Sequence, residues 1–122
     1  MFRSTLIALA AGLALAGSAQ AQKAGPNGGM VMTADGHPIE FVSKDREIVF
    51  FLSDEDGKPL LTAGLTARAI VQDAGKTSNV TLAPATPNKL VGTLAAPLGK
   101  GAKVVMSTKV HDHSLQARFE KN

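Results

Sequence analysis

The chain has 122 residues, 44% of them hydrophobic, with 13 Lys and Arg against 10 Asp and Glu and a formal net charge of +3. The basic residues are scattered, without the concentrated stripe that nucleic acid or an anionic membrane surface requires. Cysteine is absent, which excludes disulfides, thiol nucleophiles, Cys redox pairs, thiolate metal sites and a lipidated cysteine.

Residues 1–21 carry the marks of a secretory signal peptide: Arg3, an apolar run from Leu6 to Leu15, and Ala19-Gln20-Ala21 as a small-x-small cleavage site. A signal helix removed after Ala21 leaves residues 22–122, beginning at Gln22. No later apolar stretch approaches the roughly 20 residues that span a bilayer. The expected product is therefore exported to a bacterial periplasm, soluble, and free of a membrane anchor.

Residues 22–29 read as a flexible lead-in, because Gly25-Pro26-Asn27-Gly28-Gly29 is dense in chain breakers. Residues 30–122 read as one domain of short strands. The strand patterns fall at Ile39–Phe41, Glu47–Leu52, Thr66–Gln72, Asn79–Ala83, Lys89–Leu94, Lys103–Val110 and Ser114–Phe119. Turns are expected at Asp54–Pro59, Asp73–Lys76, Pro84–Pro87, Pro97–Gly101 and His111–His113. No segment keeps a capped 3.6-residue apolar period. About seven strands point to an all-β fold, a small antiparallel β-sandwich of immunoglobulin-like or cupredoxin-like type. Trp and Tyr are absent, so the core draws on Val, Leu, Ile and Phe.

The candidate chemistry is in the histidines and methionines. His111 and His113 are two apart, which on a strand places both imidazoles on one face as half of a metal site. The competing reading is a polar hairpin turn with two solvated rings. His37, in Asp35-Gly36-His37-Pro38, joins them only if the fold brings it beside that turn. Met30 and Met32 are soft thioethers, which favour Cu(I), and a His/Met set without Cys suits copper. Their competing reading, and the one expected for Met106, is core packing.

Other patterns point away from chemistry. Gln22-Lys23-Ala24 lacks the third-position His of an amino-terminal Cu(II) clamp. Asp54-Glu55-Asp56-Gly57 fails as a calcium loop, since Leu65 stands at the twelfth position. Glu40 and Glu47 read as exposed strand residues. No hydrolase, P-loop or zinc-protease motif is present, so the reading is non-enzymatic.

One ordered pattern resembles a known family. Gly25-Pro26-Asn27-Gly28-Gly29, then Glu40 in His37-Pro38-Ile39-Glu40, then Phe51-Leu52-Ser53-Asp54-Glu55-Asp56-Gly57-Lys58-Pro59 resemble small periplasmic β-domains. Those domains occur alone or near the N-terminus of heavy-metal efflux adaptor proteins of the RND type. Asn27 stands where such segments often carry His. The resemblance implies a β-sandwich associated with metal resistance or homeostasis, with efflux components of the envelope as partners. The leading expectation is a copper-binding accessory using His111, His113 and His37, with Met30 and Met32 as soft additions. The alternative is a metal-independent structural or interaction module of the envelope.

Overall fold

The computed structural model describes residues 22–122, so the signal segment at residues 1–21 lies outside the described residues. Nine strands follow in chain order: β1 Lys23–Ala24, β2 Met30–Ala34, β3 His37–Lys44, β4 Glu47–Leu52, β5 Ala67–Asp73, β6 Lys76–Ala85, β7 Lys89–Thr93, β8 Lys103–Val110 and β9 His113–Glu120. All pairings are antiparallel, and the fold is all-β among the described residues.

The strands form one sheet in the order β1-β2-β3-β4-β7-β6-β5-β8-β9. The expectation was two sheets; the finding is a single sheet curled into a half-barrel. The cause is β6, which belongs to both halves. Its residues 76–82 pair with β5, and Ala83–Ala85 pair with β7. Where β6 changes partner, Pro84 supplies no amide donor.

The inner face carries the core. Alternation holds along β8, where Val104, Met106, Thr108 and Val110 are buried, and along β9, where Leu115, Ala117 and Phe119 are buried. Met106 is a core residue, as its pattern indicates. Phe41 and Phe50 from one half meet Phe119 from the other, with ring centroids 5.2, 5.2 and 5.8 Å apart. Such aromatic pairs add about 0.5–1.5 kcal/mol each beyond the area they bury, so this trio ties the two halves together.

Tight hairpins set the register. Asp35-Gly36, Ala74-Gly75 and His111-Asp112 each join two strands with both turn residues at positive φ, the geometry that matches strand twist. The long connection from β4 to β5 is fixed by Thr62, whose N–H and hydroxyl donate to the carbonyls of Pro87 and Ala85.

Curling brings β2 alongside β9 without ladder pairing. The Gln22 side chain reaches across that seam. Gln22 Nε2 donates to the Glu120 carbonyl at 3.2 Å, and the Glu120 N–H donates to Gln22 Oε1 at 2.9 Å. The amide thus takes the place of a strand neighbour.

Candidate functional site

The lead-in is built onto the sheet. Lys23 and Ala24 pair with Val31 and Met30, and Gly25–Gly29 closes a tight turn through Gly25 N–H to the Gly29 carbonyl at 2.9 Å. The turn folds over Glu40. Because Ile39 and Phe41 point inward, Glu40 points to the outer face. It is nonetheless only 4% exposed, which corrects its reading as an exposed strand residue. Its carboxylate accepts the Asn27 N–H at 2.9 Å, the Gly29 N–H at 2.8 Å and the Asn27 Nδ2 at 2.8 Å. Three charge-directed donors replace the water lost on burial. Gly25 is required here: a Cβ would overlap the Glu40 carboxyl. The 25–29 segment and Glu40, thirteen residues from Asn27, are thus one physical unit.

The histidines lie at one rim of the half-barrel. The β2–β3 turn and the β8–β9 turn meet there, with His113 Nδ1 3.9 Å from Asp35 Oδ2 and both side chains well exposed, at 69% and 64%. His111 and Asp112 form the tip of the β8–β9 turn, exposed and at positive φ. His37 starts β3, half-buried, with its Nδ1 3.0 Å from the Ser53 carbonyl. That contact turns one ring nitrogen inward and leaves Nε2 as the remaining ligand atom.

Asp35 is the residue that sequence reasoning missed. It drew notice only as the neighbour of His37 at the start of a strand, and it reaches His113 because the curled sheet brings the β2–β3 turn to the β8–β9 turn. Among the described residues, no three His, Asp or Glu side chains converge on a common point. The rim therefore offers a His113–Asp35 pair, with His111 on the same turn and His37 held toward Ser53.

The thioethers are elsewhere. Met30 and Met32 lie on β2 and pack, partly buried, against the core. Met30 Sδ accepts from Gln22 Nε2 at 2.8 Å. The acidic turn is closed on itself: Asp54 Oδ1 accepts the N–H groups of Asp56 and Lys58, both at 2.9 Å. Comparison of the chain with protein families, curated proteins and solved structures gives no match.

Proposed function

We propose that this protein is a non-enzymatic accessory of the bacterial envelope that binds a transition metal, copper above others, at the hairpin rim. The observation that carries the reading is the approach of His113 to Asp35, residues from two different hairpins, at 3.9 Å. An imidazole and a carboxylate so placed can share one ion, with the exposed His111 on the same turn as a second imidazole. Open, few-coordinate ligation suits an ion that is taken up and handed on to efflux components. His37 is the remaining imidazole of the rim. The reading leaves Met30 and Met32 to packing at the seam.

Titration of the exported protein with Cu(II) and, under reducing conditions, Cu(I) tests this. The expected result is one ion per chain, with affinity falling at least tenfold in His113→Ala and severalfold in Asp35→Asn, while Met32→Leu leaves it unchanged. Equal affinity in wild type and a His111→Ala, His113→Ala double variant would refute it.

A further inference from the structure

The turn over Glu40 contains the chain's one Asn-Gly dipeptide, Asn27-Gly28; Asn79, Asn88 and Asn122 are not followed by glycine. A glycine after asparagine has no Cβ to shield its amide nitrogen, so that nitrogen can attack the asparagine side chain. Both residues are exposed to water, and nothing lies within 4 Å of where a Gly28 Cβ would stand. The reaction balances with water alone. The Gly28 nitrogen gives up its proton and bonds to Asn27 Cγ, the Cγ–Nδ2 bond breaks, and Nδ2 takes that proton and leaves as ammonia. Water then opens the cyclic imide at either carbonyl, giving aspartate or a main chain routed through the β-carboxyl.

The fold engages both the leaving group and the attacking group. Asn27 Nδ2 donates to Glu40 Oε1 at 2.8 Å, and the Asn27 N–H donates to Oε2 of the same carboxylate at 2.9 Å. The side chain and the N–H of Asn27 therefore point the same way, toward a carboxylate that is itself buried. The Gly28 N–H donates to the Gly25 carbonyl at 3.2 Å. Bringing Asn27 Cγ onto the Gly28 nitrogen means breaking these bonds, so the closed turn is slow to react and the opened turn reacts as a free peptide does.

The product does not fit the closed turn. Nδ2 is a donor; an ionised carboxylate in its place has no proton to give and sets a second negative oxygen against Glu40 Oε1, which lies 2.8 Å from Nδ2. The rerouted form adds a backbone atom to a turn that closes through the Gly25 N–H and the Gly29 carbonyl at 2.9 Å. We propose that Asn27-Gly28 is a deamidation site guarded by Glu40: the closed turn preserves the amide, each opening exposes it to loss, and the product does not close again. The lead-in is then a one-way latch, which records the time it has spent open.

Peptide mass spectrometry of aged protein tests the proposal. The readout is the mass gain of amide-to-acid conversion at Asn27, which isomerisation at Asp35-Gly36 or Asp56-Gly57 does not produce. Folded protein is compared with the same protein in urea at one pH and temperature, and conversion is expected to be at least tenfold slower in the folded sample. Glu40→Asp, which withdraws the carboxylate by one methylene, speeds the folded rate severalfold with the far-ultraviolet circular dichroism unchanged, and His113→Ala leaves it unaltered. Asn27→Asp, made directly, speeds hydrogen exchange of the Gly29 N–H at least tenfold while that of Met106 stays as in wild type. Equal rates in folded and unfolded protein, an unchanged rate in Glu40→Asp, or wild-type exchange of Gly29 in Asn27→Asp would each overturn it.

Discussion

Replacing Glu40 tests whether the lead-in turn is held by the carboxylate or merely lies against it. Glu40→Ala removes the acceptor for two backbone N–H groups and one side-chain amide donor at once. A buried donor left unpaired costs about 1–3 kcal/mol. The turn can lift into water and recover part of that, so a net loss of about 3 kcal/mol is expected. For a domain this size each kcal/mol moves Tm by about 4–8 °C, which puts the fall at roughly 12–24 °C. Glu40→Gln is the discriminating variant. Its carbonyl can keep the Asn27 and Gly29 N–H groups, and its amide nitrogen can donate to Asn27 once the Asn27 amide flips, so the expected cost is only about 1 kcal/mol. Circular dichroism is the suitable monitor, because the chain has no Trp or Tyr to report by fluorescence. Equal losses in the two variants, or a loss below 0.5 kcal/mol in Glu40→Ala (a threshold of about the usual surface-substitution scatter), would refute the reasoning.

Two further outcomes follow from local geometry. Gly92→Ala places a Cβ 2.7 Å from both Leu82 Cδ2 and Val80 Cγ1 inside the core, and overpacking of this kind should destabilise by about 1–3 kcal/mol in denaturant unfolding. Asp112→Gly, at φ 68° in the β8–β9 turn, relieves a left-handed residue without touching His111 or His113; it should raise stability by about 0.5–1 kcal/mol and leave metal affinity within twofold.

The strands were legible where one face meets the core and the other meets water. Leu115-Gln116-Ala117-Arg118-Phe119 alternates, and Val104, Met106 and Thr108 share one face although Val105 between them is apolar; the inner residues of both strands are buried. Two strands were missed. β2 reads Met30-Val31-Met32-Thr33-Ala34 and offers no alternation; β1 is only Lys23–Ala24, inside the segment read as a flexible lead-in, and pairing with β2 defines it. The single sheet was hidden because β6 looks like any edge-to-core strand, and its change of partner at Ala83 is a matter of pairing, which local pattern does not encode. At the rim, the proximity of residues 111 and 113 was legible, whereas Asp35 approaches from a hairpin 78 positions away in the chain. Glu40 misled for a related reason. Period-two logic assigns it correctly to the outer face, but whether water reaches that face depends on where Gly25–Gly29 folds.

The Gln22–Glu120 pair gives the molecule a mechanical character. Both ends of the described chain sit on the same line of the half-barrel, and two hydrogen bonds from one amide span the gap between them. The curled sheet is thus fastened to itself along this line by one amide, and opening it there would break these two hydrogen bonds and no ladder pair.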